Sequence, residues 1–379
     1  LKCRASPPAQ PTTPEPAMAA VSEDGTGGAA LEAAAEVAED AAAGPAAEAT
    51  PSAAAAGTTE DDELGALGAA LLAASIDPAD GTDSPAPDAA APAAEGARAD
   101  CPDEGPVLVI SDLHGNLTLL KRALRRGAEL AGREDLTVVL LGDYCDNGPE
   151  IPKLLDFLAD VADRGGRYEK MTIRPIIGNH DFVCLLALAP GIFGTTGSAN
   201  GFWDFWHVFW NGWDFGTPGQ YGCHDTAISF RARFPTRHKR LLQGLPWYER
   251  IDNYVFVHAG LDEHVPVDEQ LRYLDAKDVS RLASSGYNNW KGGKTGMPDQ
   301  ITKKSWANTN CVSWGCIVVT GHNKYPNARD FMASNRLGFH SCACERVYDE
   351  HLPLHCALLK RGARDLTSPE DAPIQFQVR

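Results

Sequence analysis

The eight Trp, nine Tyr and thirteen Phe of this 379-residue chain all lie beyond residue 100. A fold needs large apolar side chains to offset the entropy of ordering its backbone. Residues 1–100 hold no aromatic residue, but 35 Ala, 11 Pro, 18 acidic and only three basic residues. That composition predicts a disordered acidic Ala/Pro-rich arm over residues 1–103 and a single near-neutral globular domain over 104–379. Within the arm, Leu64, Leu67, Leu71 and Leu72 have helical spacing, which would suit a docking helix for a partner. Gly65 and Gly68 interrupt that spacing, so a nascent helix is the simpler reading.

The same split decides what the charge means. The formal net charge is -17, and the arm accounts for -15 of it. The domain is near neutral, which argues against a nucleic-acid groove. No run approaches the roughly 18–20 apolar residues of a membrane span, so no membrane partner is expected. Ten Cys occur without a CxxC pair. Cys311, Cys316, Cys342, Cys344 and Cys356 therefore read better as reduced thiols than as a zinc cluster. An intracellular protein follows, cytoplasmic by preference, with a plastid as the other compartment. The chain opens on Leu1, which suggests a start that is not the natural one. LKCRASPPAQ would suit the tail of a targeting peptide, although beyond Glu15 the arm has the opposite composition.

From Gly105 the pattern becomes periodic. Short apolar runs at Val107–Ile110 and Val138–Leu141 predict buried strands, and Ile173–Ile177 reads as a third strand. Apolar residues at helical spacing over Leu117–Ala131 and Ile151–Val161, and from Phe182 to Leu188, predict the helices between and after them. Strand–helix alternation of this kind implies right-handed βαβ units and a largely parallel sheet. The alternation breaks at an aromatic insertion over about 191–240, where Trp203, Trp206, Trp210 and Trp213 stand among glycines. It reads either as an aromatic wall beside a site or as a cover over the sheet. Strands return at Tyr254–His258, Cys316–Thr320, Leu337–Ser341 and Leu354–Leu359. Without long helices between them, they predict a second sheet, mixed or antiparallel.

Five polar blocks follow predicted strands: Ser111-Asp112-Leu113-His114-Gly115-Asn116, Gly142-Asp143-Tyr144-Cys145-Asp146-Asn147-Gly148, Gly178-Asn179-His180-Asp181, Val257-His258-Ala259-Gly260 and Thr320-Gly321-His322-Asn323. Strand ends form the ligand crevice of open α/β sheets, and glycine lets the loops turn tightly toward one another. Asp112, His114, Asp143, Asn179, His258 and His322 offer carboxylate, amide and imidazole donors for two divalent metals with one shared carboxylate. Singly, each block has a structural explanation as a turn, a cap or a core histidine. Five together, each after a strand, are far better explained as a metal site. The late residues His340, Cys342, Cys344, His351, His355 and Cys356 are explained by strand alternation instead.

The order DxH, GDxxDxG, GNHD, HAG, GH resembles the calcineurin-like metallophosphoesterases, within them the phosphoprotein-phosphatase group. GDYCDNGPEIPKLLDFL at Gly142–Leu158, and the segment from Val257 to Ser280, resemble the plant Rhizobiales-like (bacterial-type) phosphatases. The resemblance spans about Val107–Arg361. It implies an α/β fold: an αββα sandwich of two mixed β-sheets flanked by helices, here preceded by the arm. It further implies that Asp112 and His114 bind a first metal, that Asp143 bridges, and that Asn179, His258 and His322 bind a second. His180 would protonate the leaving oxygen, oriented by Asp146. The metals would be Mn, Fe or Zn, with Mn favoured. The implied activity is hydrolysis of phosphomonoesters by metal-activated hydroxide, with a phosphoprotein (phosphotyrosine or phosphoserine/threonine) or a small phosphoester as substrate. A symmetrical dinucleoside polyphosphate hydrolase is the alternative, and a non-catalytic scaffold a third reading. One position departs from the resemblance. Asn147 stands where an Arg usually grips the phosphate, so substrate binding there would rest on an uncharged amide. Arg174, Arg281 and Arg329 are the candidates for a replacement.

Overall fold

The computed structural model describes residues 105–195, 202–203, 216–223, 226–277, 279–282, 297–302, 314–325, 329–341 and 352–379. The acidic arm with Leu64–Leu72 lies outside the described residues, as do Trp206, Trp210, Trp213, Cys311, Cys342, Cys344 and His351.

The first strands and helices fall at or near the segments that periodicity marks, except that a short strand at Arg167–Tyr168 is added, the third expected strand starts at Met171 and the helix after it at Asn179. They are β1 (Val107–Ile110), α1 (Leu117–Ala131), β2 (Thr137–Leu140), α2 (Ile151–Asp163), β3 (Arg167–Tyr168), β4 (Met171–Pro175) and α3 (Asn179–Leu188). Short helices follow: α4 (Thr217–Gln220), α5 (Ala227–Arg233) and α6 (Thr236–Gly244). The second half supplies β5 (Tyr248–Ile251), β6 (Tyr254–Val257), α7 (Val267–Asp275), α8 (Val279–Leu282), β7 (Ile317–Thr320), β8 (Phe331–Ala333), β9 (Arg336–Gly338), β10 (Leu354–Leu359) and β11 (Ile374–Val378).

Two sheets result. The six-stranded one runs β11-β10-β1-β2-β4-β3 and the five-stranded one β5-β6-β7-β9-β8. Each has a parallel heart of three strands, β1/β2/β4 and β6/β7/β9, edged by antiparallel neighbours. The first sheet is therefore mixed where the early alternation predicted a largely parallel one. β10, expected in the second sheet, lies in the first: it pairs antiparallel with β1 in the register Val107↔Leu359.

The period-two alternation of β1 shows how the layers stack. Val107 and Val109 join Val139, Tyr254, Phe256, Val319, Leu337 and Ala357 in a core drawn from both sheets. Leu108 and Ile110 point the other way, into a second core with Leu120, Leu124, Leu154 and Leu158 of α1 and α2. Val255, Val257 and Val318 share that helix-side core with Leu271 and Leu274 of α7. The order is helix, sheet, sheet, helix, the αββα sandwich. Phe202 and Trp203 of the insertion are buried in the helix-side core, with Trp203 against Phe230 at 5.6 Å. For these two residues the cover reading holds.

Candidate metal centre

Each of the six parallel strands ends in residues of one cluster. β1 leads to Asp112, β2 to Asp143, β4 to Asn179, β6 to His258 and β7 to His322. The sixth, β9, leads to Ser341, whose hydroxyl donates to Asp112 Oδ2. The loops are zipped together through their backbones. Leu113, His114 and Gly115 N–H groups donate to Gly142, Asp143 and Tyr144 carbonyls, and Gly321 N–H donates to His258 O. His322 N–H crosses between the sheets to the Asp112 carboxylate at 3.0 Å.

His114, Asp143, Asp146, Asn147 and His322 all have positive φ, at 40°, 52°, 61°, 56° and 63°. Such backbone is costly for residues other than glycine and concentrates at functional sites. Two glycines are needed for space. A Cβ on Gly178 would strike the Asp143 carboxylate, and one on Gly321 would strike that of Asp112.

The histidines are aimed by carbonyl oxygens, which can only accept hydrogen bonds. His114 Nδ1–H donates to Cys145 O and Asp146 O at 3.1 Å, His258 Nδ1–H to Leu141 O at 2.6 Å, and His322 Nε2–H to Thr302 O at 3.1 Å. In each ring the other nitrogen is turned toward oxygens. His258 Nε2 lies 2.8 Å from Asn179 Oδ1 and 3.3 Å from Asp143 Oδ2. His322 Nδ1 lies 3.0 Å from the same Asn179 oxygen, and His114 Nε2 lies 3.6 Å from Asp143 Oδ2. Ring nitrogens and oxygens converging this closely need a proton or a metal cation among them. Asp112 and Asp143 are almost fully buried, and among the described residues neither pairs with a Lys or Arg. The donor set suits divalent metal ions, with carbonyl partners fixing the ring tautomers.

Two groups of ligand atoms meet here, each within 4.8 Å: His114, Asp143 and His180, and Asp143, His258 and His322. Asp143 belongs to both, the place expected of a bridging carboxylate. Asp112 belongs to neither group; its oxygens accept from His322 N–H and the Ser341 hydroxyl, and His258 Nδ1 is 3.9 Å away.

Protonation follows this crowding. Burial opposes the ionised form of Asp143, yet the imidazoles of His258, His180 and His114 hold it well below the usual carboxylate range. Burial also opposes the imidazolium of His258, but Asp143 and Asp112 push it up to about 9. For His114 burial prevails and lowers the pKa. His180 ends above its ordinary value: burial is outweighed by the charge of Asp143 and the hydrogen bond to Asp146. That bond joins His180 Nδ1 to Asp146 Oδ2 at 2.9 Å.

A family profile described as calcineurin-like phosphoesterase matches residues 105–326. The chain belongs to the calcineurin-like phosphoesterase family. It is thereby a phosphoester hydrolase of a family that uses divalent metal ions. No curated protein matches it in sequence. Among solved structures, the calcineurin-like phosphoesterase described here is similar to a candidate diadenosine tetraphosphatase, at 20% identity over 73% of this chain and 94% of that one, TM-score 0.40. It is also similar to a cold-active protein-tyrosine phosphatase of a psychrophilic Shewanella species, at 14% identity over 73% and 82%, TM-score 0.44. A third is a protein serine/threonine phosphatase from Saccharomyces cerevisiae, at 13% identity over 73% and 81%, TM-score 0.43.

Two buried residues outside the ligand set, Asp181 and Arg336, also shape the centre. Asp181 closes the GNHD block but works as a brace. Its Oδ1 accepts the N–H groups of Tyr144 and Cys145 at 2.9 and 3.0 Å, and its Oδ2 that of Gly178 at 3.0 Å. Burial, with the charge of Asp143, pushes its pKa up to about 7. Arg336, fully buried, donates to Ala259 O and Thr320 Oγ1 and ties the His258 and His322 loops together. Asn147 is half-buried beside Asp146. Of the arginine candidates, Arg174 is paired with Glu249 at 3.0 Å, Arg281 donates to Tyr273 Oη, and Arg329 is exposed. His355 pairs with Asp330 at 2.7 Å, and His340 Nδ1 accepts from Tyr325 N–H, in keeping with structural roles. Cys145, Cys184, Cys223, Cys316 and Cys356 are free and buried. Among the described residues no helix is long and apolar enough to cross a membrane.

Proposed function

We propose that this phosphoester hydrolase is a metal-dependent phosphomonoesterase acting on phosphoproteins, with phosphotyrosine preferred. The observation that carries the reading is a two-sided ligand cluster around Asp143, with a carboxylate-held histidine, His180, at its edge. Asp143 would serve both ions, His114 with Asp112 one of them, and Asn179, His258 and His322 the other. Mn²⁺ is the favoured ion, and Fe or Zn fit the same donors. Such ions supply Lewis acidity toward a phosphoryl group and a source of nucleophile at neutral pH.

The remaining work falls to side chains. His180 directs Nδ1–H at Asp146, so Nε2 carries the proton given to the departing oxygen. The charge on Asp146 fixes the ring and stabilises its protonated form. Asn147 offers an amide donor to a phosphate oxygen without the fork or charge of an arginine. Weak grip on the phosphate itself suits a substrate recognised through its larger, aromatic ester group.

The test is a panel of phosphotyrosine, phosphoserine and phosphothreonine peptides and diadenosine tetraphosphate, each with Mn²⁺, Fe²⁺ or Zn²⁺. Phosphopeptides should be turned over with Mn²⁺, the phosphotyrosine peptide with the highest kcat/KM. A higher kcat/KM for diadenosine tetraphosphate would replace this reading with a nucleotide hydrolase.

A further inference from the structure

We infer that Thr217 is a positioning residue for His180, acting through Asp146. Thr217 lies outside all five polar blocks, 71 residues beyond Asp146, at the start of α4. It is fully buried and reciprocally bonded. Asp146 N–H donates to Thr217 Oγ1 at 2.9 Å, so the hydroxyl hydrogen is left for the carboxylate, and Thr217 Oγ1–H donates to Asp146 Oδ1 at 2.7 Å. Thr217 N–H donates to the same oxygen at 3.1 Å. A carboxylate swings about its Cα–Cβ and Cβ–Cγ bonds. Two donors on Oδ1 stop that motion and present Oδ2 to His180 Nδ1 at 2.9 Å. Asp146 also has a φ of 61°, a conformation that needs outside support. α4 gives more of it through Gln220. Its Nε2 donates to Gly148 O, and its Oε1 accepts Ile151 N–H at 2.9 Å. The aromatic insertion thus reaches the reacting centre through a threonine and a glutamine.

The inference rests on reading His180 as the proton donor. In that step a water oxygen bonds to phosphorus and gives up one proton to solvent, from which His180 is later reprotonated; the P–O ester bond breaks, and its electron pair goes to the leaving oxygen. That oxygen takes the His180 Nε2 proton. The requirement for Thr217 therefore scales with how badly the leaving group needs the proton.

The experiment measures kcat for Thr217→Val, Thr217→Ser and His180→Ala on a phosphoserine peptide, a poor leaving group, and on 2,4-dinitrophenyl phosphate, a good one. Thr217→Val should lose about tenfold or more on the peptide and less than about twofold on the aryl ester, since general acid catalysis is worth roughly 10²–10⁴ where it is needed. Thr217→Ser, which keeps the hydroxyl, should match wild type on both. A second readout needs no metal: the downfield proton resonance of His180 Nδ1–H in the metal-free protein should persist in Thr217→Ser and be lost in Thr217→Val. Equal losses on both substrates in Thr217→Val, or no loss, overturn the inference provided His180→Ala itself discriminates between them. If His180→Ala does not discriminate, it is the reading of His180 that fails. Should Thr217→Val not fold, Thr217→Ala takes its place, and failure of both to fold reduces Thr217 to a structural residue.

Discussion

Asp143 accepts the backbone N–H of His180 at 3.0 Å through Oδ1. That bond pins the carboxylate to the first turn of α3 and leaves Oδ2 facing His258 and His114. One residue at the end of β2 thereby sets the spacing between the ligand cluster and the histidine at its edge.

Replacing that carboxylate tests the centre directly. Asp143→Asn keeps the size but removes the charge and places an N–H₂ group where the histidine lone pairs converge. Activity on p-nitrophenyl phosphate with Mn²⁺ should fall at least about 10²-fold, the scale of losing one preorganised electrostatic contact. Bound metal should fall with it. Metal analysis beside kcat checks both, and near-wild-type turnover in a folded variant would remove Asp143 from the site.

Ser341 gives a subtler test. Its hydroxyl and His322 N–H are the donors that fix the Asp112 carboxylate. Ser341→Ala should weaken Mn²⁺ activation about 10–100-fold, the usual effect of losing an outer partner of a ligand. Turnover at saturating Mn²⁺ should stay within a few-fold of wild type. A Mn²⁺ titration of activity separates the two quantities. An unchanged midpoint would mean that Asp112 needs no support from β9.

The contrast between Asp143 and Ser341 explains what could be read in advance. Asp143 sits in a local block with glycines and a second carboxylate, directly after a four-residue apolar strand, so residue order alone marks it. Ser341 and Thr217 are single hydroxyls whose partners lie 229 and 71 residues away. Only folding brings them together. The same holds for strands. β1 and β2 are apolar or nearly so, whereas β4 reads Met-Thr-Ile-Arg-Pro, β11 reads Ile-Gln-Phe-Gln-Val on an outer edge and β3 is two residues long. β10 has a clear apolar pattern, but its place beside β1 is a non-local pairing that periodicity does not encode.

A last prediction concerns stability away from the centre. Lys277 donates from Nζ to Gln243 O at 2.7 Å and lies over the Phe193 ring at 5.3 Å. Burial lowers its pKa to about 8, from an ordinary 10.5. The folded state therefore binds this proton more weakly than the unfolded state does. Below pH 8 both states are charged, and the cost of burying the charge is fully present. Between pH 8 and 10.5 the unfolded chain holds the proton while the folded chain has released it, so stability rises with pH. This contribution is complete above 10.5 and is lost as pH falls through about 8. Lys277→Met keeps the stem over Phe193 and removes the titration. The urea midpoint of wild type relative to Lys277→Met should thus be flat below pH 8 and climb from there toward pH 10.5. A difference that stays constant across that window would show that Lys277 titrates as an ordinary surface lysine, with its ammonium in water and not against Phe193.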